Sequence, residues 1–195
     1  MPRTPLLLAI LLVAGCATNP VTGKRQLSLV SESQEIEMGK GELARARAET
    51  GFYPDTALEA YVARVGKKMA AASERPALPW EFHLIDDPMV NAFAAPGGFI
   101  FITRGILAYL NSEAELAGVV GHEIGHVTAK HTVAAISRQQ VGTIGILGAA
   151  ILAKDERIAQ VGSAGLGILF LKFGRDQESQ SDGLGHRYSL AQGYD

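Results

Sequence analysis

The pentapeptide His122-Glu123-Ile124-Gly125-His126 constrains this chain more than any other stretch, because it makes sense only on a helix. Residues four apart share one helical face, so both imidazoles can hold a single metal ion there. Glu123 then stands beside that face, where it can take a proton from a water that the metal has acidified to a pKa of about 7. The flanking Leu116, Val119, Val120, Ile124 and Val127 recur at helical spacing and predict that this helix is buried. Two imidazoles and a carboxylate set in an apolar helix are costly without a cation to hold, so the surroundings favour metal binding over two incidental histidines.

A catalytic zinc takes three protein ligands and leaves a fourth position for water. A third histidine on the pattern of the metzincins would need glycine at position 129 and histidine at position 132, where this chain has Ala129 and Thr132. His131 is five residues past His126, which rotates it off the ligand face, and it reads as a structural or surface histidine. A glutamate from a second helix remains. Glu178 is the best candidate, because Asp182 follows it one helical turn later and can orient a ligand imidazole from behind.

The rest of the chain supplies a scaffold of ordinary size. Its 195 residues fit one domain, and 18 Lys and Arg against 20 Asp and Glu give a net charge of -2, with no electrostatic footprint for nucleic acid. Residues 1–15 carry a cation at Arg3, an apolar run from Leu6 to Val13 and then small residues, the pattern of a secretory signal peptide. The run is far short of the roughly 20 residues that span a bilayer. It ends in Leu12-Val13-Ala14-Gly15-Cys16, which resembles the lipobox of bacterial lipoproteins. Cys16 is the only cysteine, so no intramolecular disulfide can form, and lipidation gives the lone thiol a use. Ala17 after it resembles the signal for the outer membrane. Residues 16–30, with Asn19, Pro20 and Gly23, read as a tether, and 31–195 as the folded domain.

Within that domain Ser31-Glu32-Ser33-Gln34 forms a capping box for a helix running to about Thr50. Pro54 and Asp55 open a second helix, with Leu58, Tyr61, Val62, Val65 and Met69 on its core face. Trp80 to Ile85, Val90 to Ala94 and Phe99 to Thr103 read as strands, with Pro96-Gly97-Gly98 as a turn. Ser112-Glu113-Ala114-Glu115 caps the metal helix. Two Gly-rich apolar stretches, Val141 to Ala153 and Val161 to Phe173, flank a charged turn from Lys154 to Arg157 and are short for membrane spans. They are expected as buried or interfacial helices, with a transmembrane pair as the alternative. A last helix is expected from about Arg175 to Ala191. The architecture is α+β, mainly helical, with a small sheet beside the metal helix.

The run from Ala114 to His126, the segment from Asn91 to Ile100, and Glu178 with Asp182 four residues on together resemble metallopeptidase family forty-eight, the group of HtpX, BepA and the CaaX prenyl endopeptidase. Asn19-Pro20-Val21-Thr22-Gly23 and Gly193-Tyr194-Asp195 resemble its periplasmic lipoprotein branch. The resemblance implies a zincin-like, gluzincin domain with one Zn2+ held by His122, His126 and Glu178. It implies Glu123 as general base, Asp182 as the partner behind a ligand, and Asn91 lining the cleft. It also implies that the strand from Gly98 through Phe99 and Ile100 to Thr103 is the edge on which an extended protein or peptide substrate pairs. Membrane contact would come through a lipid anchor at Cys16 on the periplasmic face, and misfolded or envelope proteins would be the substrates. The chain departs from the family at Gln180-Ser181, where Glu-Ala is common, and stops at Asp195, where relatives continue into a segment with a further His and Arg. Either the chain is shortened at its C-terminus or that part falls to other residues, His186 or Arg175 for example, both of which read equally well as surface groups. A non-hydrolytic chaperone or assembly factor with a structural metal helix is the competing reading.

Overall fold

The computed structural model describes residues 16–153 and 173–194. The leader at 1–15, the charged turn from Lys154 to Arg157 and all but the last residue of the second Gly-rich stretch lie outside them. The chain begins with a hairpin of β1 (Cys16–Thr18) and β2 (Arg25–Leu27), followed by α1 (Glu32–Glu49) and α2 (Thr56–Ala71). Three strands come next, β3 (Glu81–Ile85), β4 (Ala92–Ala95) and β5 (Phe99–Thr103), then the single turn α3 (Arg104–Leu107). Three helices complete it: α4 (Glu113–Thr128), α5 (His131–Ala153) and α6 (Arg175–Ala191). This is the mainly helical α+β architecture expected.

Local chemistry sets the helix starts. Ser31 and Gln34 close the full capping box of α1, and the Asp55 side chain accepts from the Leu58 N–H to start α2. Ser112 caps α4 by accepting from the Glu115 N–H, but the Glu115 carboxylate reaches back to the Asn111 N–H at 2.7 Å, one residue earlier than a closed box requires.

The sheet runs in the order β3-β5-β4, with β3 parallel and β4 antiparallel to β5. The expectation that Gly98 to Thr103 forms an open edge is therefore wrong. β5 is the central strand, Gly98 is buried, and Phe99 and Ile100 have no exposed surface. The reason is non-local: the continuous apolar run Phe99-Ile100-Phe101-Ile102 fills both faces and needs a neighbour on each side. Phe82, Leu84, Ala94, Ile100 and Ile102 join one core with Val62, Val65 and Met69 of α2 and Val120 and Ile124 of α4. Ile85, Ala95, Phe99 and Phe101 form a second core with Ala46 of α1. Between β4 and β5, Gly97 and Gly98 take φ of +80° and +100°.

Two further expectations are corrected. Residues 16–30 are not a loose tether, since β1 and β2 pair and Asn19 locks the hairpin onto the domain: its Oδ1 accepts from the Val21 and Thr22 N–H groups while its Nδ2 donates to the Ala129 carbonyl at 3.0 Å. Val141 to Ala153, expected as a separate buried or interfacial helix, is the second half of α5, and Val141 and Ile144 are exposed. Among the described residues no helix is long and apolar enough to cross a membrane.

Candidate metal centre

α4 presents His122 and His126 on one face, as the four-residue spacing requires, with their Nε2 atoms 2.9 Å apart. α6 brings Glu178 to them, its Oε2 lying 3.4 Å from His122 Nε2 and 3.9 Å from His126 Nε2. Each of the three offers a ligand atom within 4.8 Å of the others. Behind His122, Asp182 Oδ1 sits 2.8 Å from Nδ1. With the carboxylate accepting, the His122 proton stays on Nδ1 and the Nε2 lone pair faces His126.

The donor set fits a divalent cation. Tetrahedral zinc bonds of about 2.1 Å put ligand atoms roughly 3.4 Å apart, which the observed separations bracket. Two imidazoles and one carboxylate suit zinc chemistry and leave room for a water.

Electrostatics point the same way. Burial lowers the pKa of His126 to about 3, helped by His122 and His131, so the ring is neutral and its lone pair available. Burial raises Glu123 to about 7, His122 opposing and Glu178 reinforcing the rise, which poises the carboxylate near neutrality.

The close approach of α6 to α4 depends on glycines that sequence reasoning passed over. A Cβ on Gly185 would stand 2.7 Å from the His122 backbone nitrogen, and one on Gly125 would stand 3.0 Å from Ser181 Cα. Only bare backbone lets the two helices meet closely enough for Glu178 to reach both rings. The local signal was present, since Gly121, Gly125 and Gly185 interrupt helices where glycine costs stability without such a reason. Phe173 was also missed; its ring stacks on His126 with centroids 4.2 Å apart.

His131 is deeply buried, not a surface group, and touches both His126 and Gln180. Asn91 stands elsewhere. It lines a cavity of about 200 Å³ with Glu42, Arg45, Phe93 and Thr103 on the α1 side of the sheet, and none of the metal-centre residues contributes to that lining. Gly98, Phe99 and Ile100, expected in the cleft, are buried in the sheet. His186 is exposed and shares a groove of about 290 Å³ with His122, Asp182 and Tyr194. Arg175 opens α6 on the exposed surface.

Comparison with known proteins agrees with this geometry. The model of peptidase family M48 matches residues 56–195, from the start of α2 through the whole metal centre. The beta-barrel assembly-enhancing protease of Yersinia pestis is 30% identical over 187 residues, covering 90% of this chain and 38% of that protein. Its counterpart in Escherichia coli (strain K12) is 30% identical, covering 91% of this chain and 38% of its own length. The mitochondrial metalloendopeptidase OMA1 of Schizosaccharomyces pombe is 34% identical over 85% of this chain and 50% of its own length. The chain thus spans half or less of these curated relatives. With the matched region enclosing both helices of the candidate metal centre, the chain belongs to peptidase family M48, a family of metal-dependent peptidases.

Proposed function

We propose that the chain is a zinc-dependent metalloendopeptidase of the bacterial cell envelope, binding one Zn2+ and cutting peptide bonds in misfolded or envelope proteins. The observation that carries the reading is the convergence of His122 Nε2, His126 Nε2 and the Glu178 carboxylate beside Glu123. When bound, zinc would acidify a water and polarise the peptide carbonyl. Asp182 holds His122 in the ligating tautomer. Glu123, near neutral pKa, takes the proton of the attacking water and passes it to the leaving amine.

β4 replaces β5 as the strand that receives substrate. Among the described residues it pairs with β5 on one side only, so its other edge offers N–H and C=O groups to an extended peptide without demanding particular side chains. The envelope assignment rests on the leader at residues 1–15, the lipobox-like Cys16 as anchor, and relatives named for beta-barrel assembly. The mitochondrial name of the fission-yeast relative shows that family membership alone does not decide location.

Glu123→Gln tests the reading. The variant should keep one zinc per chain while cleavage of an unfolded protein falls by about 100-fold or more. Continued cleavage would remove Glu123 from its role, and a wild-type chain without zinc would remove the whole reading. Glu178→Ala should lose the zinc.

A further inference from the structure

A third histidine stands beside the candidate metal centre without belonging to its set of ligand atoms. His131 opens α5 just after Lys130, whose φ of +58° breaks the helical path between α4 and α5. The His131 ring is buried, 3% of the residue being exposed. Its Nδ1 lies 3.1 Å from His126 Nδ1, and its Nε2 lies 2.9 Å from Oε1 of Gln180 on α6. Ser181 Oγ is 3.3 Å from the same Nδ1.

One proton arrangement satisfies every member. If His126 is to ligate through Nε2, its only ring proton sits on Nδ1 and must be donated to His131 Nδ1. His131 then carries its own proton on Nε2 and donates it to the Gln180 carbonyl oxygen. The Ser181 hydroxyl lies 3.3 Å from the same nitrogen, whose single lone pair the nearer His126 N–H already occupies. Reversing any link leaves two N–H groups facing each other or two lone pairs facing each other inside the protein, each costly where water is excluded.

We infer that His131 and Gln180 are positioning residues, a neutral relay that fixes the tautomer and ring orientation of His126. The inference rests on the zinc reading above and concerns how one ligand is held. The two imidazole ligands are thus oriented by different means: His122 by the exposed carboxylate of Asp182, and His126 by a buried histidine backed by the half-buried amide of Gln180. Gln180 stands two residues past Glu178, so the same turn of α6 supplies a ligand and the support of another ligand.

A histidine that only filled the core would affect folding and leave metal affinity alone, so affinity is the deciding readout. Zinc dissociation constants would be measured by chelator competition for the wild type and for His131→Phe, Gln180→Leu, His131→Asn and Gln180→Glu, with folding followed by circular dichroism. His131→Phe and Gln180→Leu should bind zinc about 10- to 100-fold more weakly. Gln180→Glu, which keeps an acceptor oxygen, should bind as the wild type does. His131→Asn, which keeps an acceptor towards His126, should fall between. Nitrogen-15 imidazole spectra of the wild type should show the His131 proton on Nε2 and the His126 proton on Nδ1, a readout independent of whether the variants fold. Wild-type affinity in both His131→Phe and Gln180→Leu, or a His131 proton on Nδ1, would overturn the relay while leaving the zinc reading intact. A wild-type chain that binds no zinc would overturn both.

Discussion

The His126 ring is held neutral by its surroundings, and that has a measurable cost in acid. Its folded pKa, lowered to about 3, lies below the roughly 6.5 of an unfolded histidine. The unfolded chain therefore binds the extra proton, and the stability present above pH 6.5 drains as the pH falls towards 3, by about 1.4 kcal/mol per pH unit for this group alone. His131, also lowered by burial, acts in the same direction. Glu123 acts in the opposite one: its folded pKa of about 7 lies above the unfolded carboxylate value, so its contribution is whole in acid and lost as the pH rises through 7. In the zinc-free wild type these slopes oppose each other between about pH 4.5 and 6.5. Zinc-free Glu123→Gln should therefore lose stability on acidification more steeply than the wild type, as read from urea midpoints at several pH values. Equal slopes in the two proteins would show that Glu123 is not held protonated by its site. At this scale the sequence was informative where geometry is local: His122, Glu123 and His126 follow from one helical turn. Glu178 needed the further clue of Asp182. His131 was legible as a structural or surface group outside the ligand set; that it is buried against His126 was not, because a left-handed residue at Lys130 ends the helix before it and helical spacing no longer sets its direction.

Among the elements, the crossing of α4 and α6 builds the centre, and its glycines make it tight. Gly185→Ala would press a methyl group onto the backbone of His122, and α6 would have to move away. The expected result is a loss of about 1–3 kcal/mol in urea unfolding together with weaker zinc binding. A Gly185→Ala protein with unchanged affinity would show that Glu178 reaches the site without that close contact. The open edge of β4 gives a second test. The Thr103 N–H donates to the Asn91 carbonyl, so by antiparallel alternation Ala92 and Ala94 turn their N–H and C=O groups away from β5. Ala92→Pro removes an outward donor at a half-buried position, and should lower kcat/KM for an unfolded substrate several-fold with little change in thermal midpoint. Unchanged kcat/KM would exclude β4 as the docking strand. Helix starts were legible because Ser31, Asp55 and Ser112 act on groups three residues away. Strand order was not, because Phe99 to Thr103 reads the same as an edge or a centre until β3 and β4 are placed beside it.

Across the whole molecule, the metal helix is tied at both ends by parts of the chain far from it in sequence. At its N-terminus Glu113 accepts hydrogen bonds from Tyr61 of α2 at 2.7 Å and from Tyr194, beyond α6, at 2.6 Å. At its C-terminus Asn19 reaches the Ala129 carbonyl, while Arg75 donates to the Val127 carbonyl and, with Lys130, to the buried Glu35. Asn19→Ala should cost about 1–2 kcal/mol in urea unfolding, since it frees the hairpin and removes the main donor to a buried carbonyl. A midpoint equal to the wild type would mean that the hairpin rides on the domain without supporting it. Cys16 precedes Asn19 by three residues, a span of at most about 10 Å. If Cys16 carries the proposed acyl chains, the blade of the proposed protease has almost no handle: it would trim what lies against the bilayer and leave untouched whatever drifts deeper into the periplasm.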